Sequence, residues 1–385
     1  MINPHIFILF GAPGSGKSES CIILNKITKG KLKILQKETT RPARKQDTNE
    51  IKSVRKISKQ CDFRYSQYDY EYGFSSKIIW KHLKKGNSVI IIVNDVRTIK
   101  ILNKKFGNLA QNIYIHSNID REQIIKILKI RYPKADNTFL EKDTIKRIEK
   151  IKTIHRKYIE NTYLFHSAII NIYEKGDEKS IKKLKNQLKQ VYEKNVGHKP
   201  FFGSTSRLIV VAGASFSGKD ALVNAMIQME PTKTLLYQKG TTRPKNENDR
   251  NELLHLKTLD DEYNIQYKKN GYSYGLSTQS IWESLSKEKI ILIVLSDLEA
   301  ICELKKAFYD ICTVLYLHSN IDEEEMQQAK NKMSLEELNK RLKSTKKLRE
   351  TYIGNMNIFN HVLLNTSESE DLYDQAFNIL DFYLE

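Results

Sequence analysis

Short apolar runs separated by polar, helix-compatible segments form the dominant pattern of this chain. The run at 89–93 is typical of a buried parallel strand, because helices cover both faces of such strands, and the segments 6–10 and 112–116 are also predicted strands. The further predicted elements are helices at 75–85 and 121–133, a long basic helix around 147, a short strand at 169–171 and a last helix at 174–195. This alternation predicts an α/β fold with a parallel sheet flanked by helices.

The first apolar run leads directly into a glycine-rich turn, Gly11-Ala12-Pro13-Gly14-Ser15-Gly16-Lys17-Ser18. A strand, a turn and a helix start at this spacing indicate a P-loop, in which backbone N–H groups surround phosphate oxygens, the lysine reaches the terminal phosphates and the serine ligates Mg²⁺. The sequence therefore predicts a nucleoside triphosphate site at Gly11, Gly14, Gly16, Lys17 and Ser18. The alternative is a chance match in an ordinary turn.

A near copy of this turn weakens that alternative. Residues 213–220 follow a second apolar run and predict a second nucleotide site at Gly213, Gly218, Lys219 and Asp220. Other segments recur at the same offset of 202 positions: Thr39–Pro42 at 241–244, Tyr72-Gly73 at 274–275 and Asp95 as Asp297. A fixed period of this kind indicates duplication. We predict two copies of one domain, at 1–195 and 207–385, joined by a linker at 196–206.

Several arginines near these turns are candidates for phosphate binding. Arg41 and Arg44 follow a threonine pair in a proline-marked turn, where guanidinium groups can hold a phosphate through two hydrogen bonds each. Arg131 and Arg147, on the later helices, are candidates to offset the charge that develops on a transferring phosphoryl group. Two arginines beside a P-loop suggest an acceptor that already carries a phosphate.

Asp95 follows an apolar strand, at the sheet edge where open α/β folds bind ligands. A carboxylate there can orient a Mg²⁺-bound water, so we predict Ser18 and Asp95 as metal residues; the alternative is that Asp95 caps a helix. The cluster of Tyr65, Tyr68, Tyr70 and Tyr72 either lines a pocket or forms a half-buried strand pair.

Length, composition and charge add further constraints. The 385 residues suit two domains, no run is long enough to cross a membrane, and the four cysteines lack paired metal-ligand spacing. We expect a cytoplasmic protein without a membrane partner. Residues 1–202 carry a net charge of +23 and residues 203–385 a net charge of −5. The basic half is either a solvated lysine-rich surface or a surface for polyanions, such as polyphosphate ligands or nucleic acid.

The ordered set of motifs resembles the guanylate kinase family of nucleoside monophosphate kinases over nearly all of both copies. The resemblance implies a five-stranded parallel sheet, a lid, a small acceptor-binding subdomain, and ATP with Mg²⁺ as cofactors. It implies that Arg41, Arg44 and Tyr72 bind the acceptor phosphate, and that Lys17, Arg131 and Arg147 bind the transferred phosphoryl group. Arg97, Arg243 and Tyr274 complete the predicted substrate-binding residues.

The sequence also departs from the family. The position of the guanine-reading glutamate is occupied by Phe63 and Ile265, and the hydroxyl residue after Tyr-Gly is replaced by Phe74 and Leu276. Details such as Gly-Lys-Asp at 218–220 and the segment 93–97 resemble the related ribose 1,5-bisphosphate phosphokinases.

The two copies differ around the phosphate site. Ser18, Arg44 and Arg97 correspond to Asp220, Asn246 and Glu299, and Arg131 has no counterpart in the shortened second lid. Each change removes a positive charge or adds a negative one, which weakens anion binding. We expect a catalytic first copy and an impaired or regulatory second copy.

The sequence thus predicts an ATP- and Mg²⁺-dependent phosphotransferase whose acceptor is a phosphorylated small molecule. A nucleoside or deoxynucleoside monophosphate is the leading acceptor and a ribose bisphosphate the second. The alternatives of other classes are a non-catalytic nucleotide-gated scaffold and a nucleic-acid-binding protein. Pairing of the two copies, within one chain or between two chains, is a further expectation.

Overall fold

The computed structural model divides the chain into two compact units, Met1–Pro200 (the first unit) and Phe201–Glu385 (the second unit). The residues that the structure describes are 4–43, 47, 49–67, 69–117, 121–132, 135–172, 178–197, 208–215, 217–245, 251–287, 289–319, 335–366 and 369–384. Most of the predicted linker, 198–206, lies outside them. Within these ranges, no helix combines the length and the apolar character needed to cross a membrane.

The first unit contains two sheets. Its strands are β1 (Ile6–Gly11), β2 (Leu32–Ile34), β3 (Lys37–Thr39), β4 (Ile51–Ser53), β5 (Phe63–Gln67), β6 (Tyr70–Phe74), β7 (Ser88–Ile92), β8 (Ala110–Ser117) and β9 (Ser167–Asn171). Five of them form an all-parallel sheet in the order β2-β7-β1-β8-β9. The other four form a smaller sheet in the order β4-β3-β6-β5.

The helices of the first unit are α1 (Lys17–Ile27), α2 (Ser76–Leu83), α3 (Val96–Phe106), α4 (Arg121–Arg131), α5 (Asn137–Ile159) and α6 (Glu178–Gly197). Every residue of β1 and β7 is buried, as expected for central strands covered on both faces. The prediction of an α/β fold with a parallel sheet flanked by helices is confirmed.

The second unit repeats this order of elements. Its strands are β10 (Leu208–Gly213), β11 (Thr234–Leu236), β12 (Lys239–Thr241), β13 (Leu253–His255), β14 (Ile265–Lys269), β15 (Tyr272–Leu276), β16 (Ile290–Val294), β17 (Cys312–Ser319) and β18 (His361–Asn365). Its helices are α7 (Lys219–Met229), α8 (Thr278–Leu285), α9 (Leu298–Phe308), α10 (Leu335–Ile353) and α11 (Ser369–Leu384). The two sheets have the orders β11-β16-β10-β17-β18 and β13-β12-β15-β14.

In each unit the smaller sheet is inserted in the chain between an edge strand of the large sheet and the strand beside it. These are β2 and β7 in the first unit and β11 and β16 in the second. The insertion brings a side chain from the small sheet onto the carboxyl end of a large-sheet strand: Lys37 Nζ donates to Ile92 O at 2.7 Å, at the end of β7. This contact ties the small sheet to the edge where parallel α/β sheets bind ligands.

Candidate functional site

The glycine-rich turn of the first unit lies between β1 and α1, and its shape requires glycine at two positions. Gly16 has φ +90°, and a Cβ added there would lie 2.6 Å from Asn171 Nδ2. A Cβ on Gly11 would lie 2.6 Å from Ile115 O. Asn171, at the end of β9, also donates through Nδ2 to Ser15 O at 3.0 Å. The turn is therefore held at the start of α1, where unpaired backbone N–H groups favour an anion.

Lys17 is the first residue of α1 and folds back over the turn. Its Nζ donates to Gly11 O at 2.8 Å and to Ala12 O at 2.6 Å. Although the residue as a whole keeps some exposure, its ammonium group is enclosed by protein. Burial, and then the nearby charge of Lys37, lower the pKa of Lys17 from 10.5 to about 7. A phosphate in the turn would stabilise the charged form, because an opposite charge nearby raises a lysine pKa.

Ser18 Oγ donates to Glu50 Oε1 at 2.7 Å. The other carboxylate oxygen, Glu50 Oε2, is buried and makes no hydrogen bond within the described ranges. A hydroxyl beside an unsatisfied carboxylate oxygen is an oxygen donor set of the kind that Mg²⁺ prefers. These two residues fit the metal that the P-loop implies. No group of three or more His, Cys, Asp or Glu side chains in the described part of the chain is arranged to hold a metal by itself.

The small sheet contributes a second buried lysine that sequence reasoning missed. In addition to its bond to Ile92, Lys37 Nζ lies 3.5 Å from Tyr65 Oη and 5.4 Å from the centroid of the Tyr72 ring. Burial lowers its pKa to about 8, against the opposing effect of Glu50. One signal was present in the sequence, because Lys239 repeats Lys37 at the offset of 202.

The turn predicted to bind the acceptor phosphate (the acceptor turn, residues 40–43) directly follows β3, the strand that carries this lysine. Arg41 is only 7% exposed, and its Nη2 pairs with Asp47 Oδ1 at 2.7 Å. Tyr72 is buried on β6 and stacks on Tyr65 with the ring centroids 5.3 Å apart. The structure thus favours the strand-pair reading of these two tyrosines. Arg44, predicted as the partner of Arg41, lies outside the described residues.

Asp95 is the N-cap of α3. Its Oδ2 accepts hydrogen bonds from Thr98 N at 2.8 Å and from Thr98 Oγ1 at 2.6 Å. In the structure this carboxylate therefore caps a helix, which was the alternative interpretation of Asp95. Its role as a metal ligand stays a prediction. Arg97 is exposed on the first turn of the same helix.

The predicted lid arginines lie on other helices. Arg147 Nε pairs with Asp143 Oδ2 at 2.9 Å, one turn earlier on α5. Arg131 is the last residue of α4, and its side chain lies outside the described part of the structure. Their predicted contacts with a transferring phosphoryl group therefore stay predictions.

The second unit repeats the geometry of the turn. Gly218 has φ +89°, and Asn365 Nδ2 donates to Ser217 O at 2.9 Å. Lys219 Nζ donates to Ala214 O at 2.6 Å. Burial, and then the charge of Lys269, lower the pKa of Lys219 to about 8, while Asp220 opposes the change.

The second unit also repeats the contacts that the first unit makes around its predicted acceptor-binding residues. Lys239 Nζ donates to Val294 O at 2.5 Å and lies 3.9 Å from Glu252 Oε2. Tyr274 stacks on Tyr267 at 5.2 Å. Asp297 caps α9 by accepting from Ala300 N at 2.9 Å.

One of the expected charge changes in the second unit, Asp220 in place of Ser18, is balanced by a further difference in sequence. Lys269, on β14, stands where the first unit has Gln67 on β5. Lys269 is one of the charges that act on both Lys219 and Lys239. The added carboxylate of Asp220 is therefore matched by an added ammonium group. Arg243 remains at the acceptor turn, where its backbone N donates to Thr241 Oγ1 at 3.2 Å.

A cavity of about 850 Å³ adjoins this site in the second unit, with Asp220, Glu252, Tyr237, Tyr263 and Ser277 in its lining. Tyr263 packs against two glycines of the small sheet, because a Cβ on Gly240 or Gly275 would lie 2.6 Å from its side chain. In the first unit, Glu38 and Cys61 stand at the positions of Gly240 and Tyr263. The two small sheets, which are predicted to bind the acceptor, therefore carry side chains of different size at these two positions.

Comparison with known proteins places the family resemblance in the second unit. Residues 205–381 match the family model for guanylate kinase. Among solved structures, the chain is similar to the guanylate kinase from Anaplasma phagocytophilum, with 12% sequence identity and a TM-score of 0.34, over 51% of this chain and 88% of that one. No curated protein matches the chain.

Proposed function

We propose that the chain is a tandem of two guanylate kinase-like units and that the first is an ATP- and Mg²⁺-dependent phosphotransferase acting on a phosphorylated acceptor. The family match in the second unit supports this proposal. The first unit has the same strand order, the same glycine-rich turn and the same buried lysine from its small sheet.

The observation that carries the proposal is the hydrogen bond between Ser18 and Glu50. Ser18 belongs to the helix that follows the glycine-rich turn. Glu50 directly precedes β4, which pairs with β3, and Arg41 follows the end of β3 by two residues. The residue that would hold the metal in a P-loop is thus in contact with the start of the strand that pairs with β3, and Arg41 lies just beyond β3. Nucleotide and acceptor would therefore meet in one site.

The residues of the first unit divide the work as follows. Lys17 would leave the carbonyls of the turn and bind the phosphates of ATP, and Arg41 would bind the acceptor phosphate. Ser18 and Glu50 would hold Mg²⁺, which neutralises charge on the phosphates when it is bound. A phosphate acceptor is largely ionised near neutral pH, so the reaction needs positioning and charge more than a dedicated base.

The leading acceptor is a nucleoside or deoxynucleoside monophosphate. Guanine is disfavoured, because Phe63 and Phe74 occupy the positions predicted to read it and stack on each other at 4.9 Å. The second candidate acceptor is a doubly phosphorylated sugar such as ribose 1,5-bisphosphate. Lys37 favours it, because a buried ammonium group beside Arg41 could bind a second anionic group.

The test is ADP release from ATP and Mg²⁺ with a panel of ribo- and deoxynucleoside monophosphates and ribose 1,5-bisphosphate. Turnover with one acceptor, lost in Lys17→Ala and kept in Lys219→Ala, would support the proposal and name the substrate. Lys26→Ala, at an exposed position on α1, is the matched control. If turnover were lost only in Lys219→Ala, the roles of the units would be reversed. If no acceptor were phosphorylated, a nucleotide-gated binding module or a nucleic-acid-binding protein would replace the kinase as the leading function.

A further inference from the structure

The cavity of about 850 Å³ in the second unit lies among α7, β11, the segment 251–254, the pair at 262–263 and α8. Its volume is within the range that small-molecule sites occupy in proteins. Of the residues predicted to bind nucleotide or acceptor in this unit, only Asp220 lines the cavity, whereas Lys219, Arg243 and Tyr274 do not. The cavity is therefore a separate place in the fold, and its lining has to be considered by itself.

The charge of this lining is opposite to that of the protein. Among the described residues it contains the carboxylates of Asp220, Glu252 and Glu262 and no lysine, arginine or histidine. Glu252 lies 3.9 Å from Lys239, but Asp220 and Glu262 form no ion pair with any residue that the structure describes. The whole chain carries a net charge of +18. The cavity therefore attracts cations locally and repels phosphates.

The first unit does not share this property. The lining positions that differ in charge have counterparts at the offset of 202: Asp220, Glu262, Leu235 and Leu254 stand where the first unit has Ser18, Gln60, Lys33 and Lys52. Glu252 corresponds to Glu50. Two lysines and one glutamate give the matching positions of the first unit a net charge of +1, against −3 for the three carboxylates of the second. The cation-attracting cavity is thus particular to the second unit.

Two tyrosines of the lining are held in place by the surrounding fold. Tyr237 Oη donates to Ser277 O at 3.3 Å and accepts from Ser277 N at 3.1 Å. Tyr263 packs against Gly240 and Gly275, where a Cβ would lie 2.6 Å from its side chain. Neither tyrosine has an aromatic counterpart in the first unit. Aromatic rings attract cations through their negative faces, so both rings favour the same class of ligand as the carboxylates.

Apolar side chains complete the lining. They come from α7, β11 and β13: Val223, Ile227, Leu235, Leu236 and Leu254. A small inorganic cation would leave this surface in contact with water. An organic amine would bury its methylene groups against the apolar side chains and donate from its ammonium groups to the carboxylates.

We propose that the cavity of the second unit binds a polyamine, a ligand in which ammonium groups are separated by methylene spacers. The spacers contact the apolar side chains, and the ammonium groups contact Glu262, Asp220 and the tyrosine rings. This inference goes beyond the proposed function and does not depend on phosphoryl transfer by the first unit.

The test is equilibrium dialysis of the full chain against radiolabelled spermidine, a triamine, at physiological ionic strength. We expect saturable binding of one spermidine per chain and weaker binding of the diamine putrescine. Excess MgCl₂ should leave most of the spermidine bound, because the apolar contacts are not available to a metal ion. Complete displacement by MgCl₂ would identify a metal site and overturn the proposal, as would the absence of saturable binding.

Substitutions at exposed positions locate the site without disturbing the core. Glu262→Gln should weaken spermidine binding by about tenfold, in line with the loss of one charge-assisted contact. Asp261→Asn removes the same charge from the neighbouring residue outside the lining and should bind as the wild type does. Equal losses in these two variants would indicate diffuse attraction and overturn the proposal.

A second pair of variants tests the lining from the apolar side. Leu254→Lys installs the residue of the first unit at a position that is 44% exposed, and it should weaken spermidine binding by at least about tenfold through charge repulsion. Leu254→Gln, the uncharged control, should retain most of the affinity. Unchanged binding in Leu254→Lys would place the ligand elsewhere and refute the assignment of the cavity.

Discussion

Replacing Lys17 by methionine should stabilise the ligand-free first unit while abolishing its binding of ATP. Methionine keeps the length of the side chain but removes a charge that the fold holds at a disadvantage. The lysine forms two hydrogen bonds with Gly11 O and Ala12 O. Its ammonium group is otherwise enclosed, and its pKa falls from 10.5 to about 7.

The size of the effect follows from that pKa. A fall of this extent means that the ionised form destabilises the fold by up to about 5 kcal/mol, of which about 4 kcal/mol remains at pH 7. Loss of the two hydrogen bonds offsets about 1 kcal/mol each. The net gain at pH 7 is about 2 kcal/mol, or a rise in Tm of about 4–8 °C for a unit of this size.

The gain should depend on pH with a definite sign. The folded protein has the lower lysine pKa, so the disadvantage is complete below pH 7 and disappears as the pH rises toward 10.5. Between pH 7 and pH 9 the advantage of Lys17→Met should fall by about 2 kcal/mol, which is nearly all of it. The wild type therefore gains on the variant as the solution becomes more alkaline.

Calorimetric scans of the full chain at pH 7, 8 and 9 measure this difference. Lys26→Met, on the exposed face of α1, is the control and should show no pH-dependent difference from wild type. ATP with Mg²⁺ should raise the Tm for unfolding of the first unit in the wild type and not in Lys17→Met. A variant less stable than wild type at pH 7, or an advantage that does not shrink by pH 9, would refute the reasoning.

Three further predictions concern neighbouring residues. Gly16→Ala should destabilise the first unit by about 1–3 kcal/mol and weaken ATP binding, because the new Cβ meets Asn171 at a backbone angle that alanine avoids; chemical denaturation measures it. Asp95→Ala should cost about 1 kcal/mol of stability through the lost helix cap, whereas Asp95→Ser should keep most of it; a loss of turnover in Asp95→Ser at unchanged stability would instead indicate a metal role. Ser18→Ala should raise the Mg²⁺ concentration needed for half-maximal turnover, and an unchanged Mg²⁺ dependence would argue against the Ser18–Glu50 metal site.

Much of the fold could be read from local patterns. The apolar runs before the two glycine-rich turns became β1 and β10, and the predicted helices at 75–85 and 121–133 became α2 and α4 with shorter ends. Such features depend on residues close together in the chain, where the spacing of apolar side chains and the conformational freedom of glycine act directly. The recurrence at 202 positions also predicted that the second unit would repeat the order of elements in the first.

The composition of the candidate site depended on contacts between distant segments. Glu50 meets Ser18 across 32 positions, and Lys37 reaches Ile92 across 55. Asp95 looked like a ligand residue by its place after a strand, but its carboxylate caps α3. Lys269 lies far along the chain from Lys219, and its sequence context does not distinguish it from other lysines. In the structure, the alternation along β14 places it on the less exposed face of the strand.

The sequence alone therefore determined the central strands of the large sheet, several of the helices, their order and the two glycine-rich turns, because these follow from local spacing. The four strands of each small sheet were not among the predicted elements. Only the tertiary structure decided which charged side chains gather around each turn and which of them are buried. The reason is physical: the pKa values of Lys17 and Lys219 depend on what surrounds each ammonium group, and those surroundings are assembled from strands far apart in the chain.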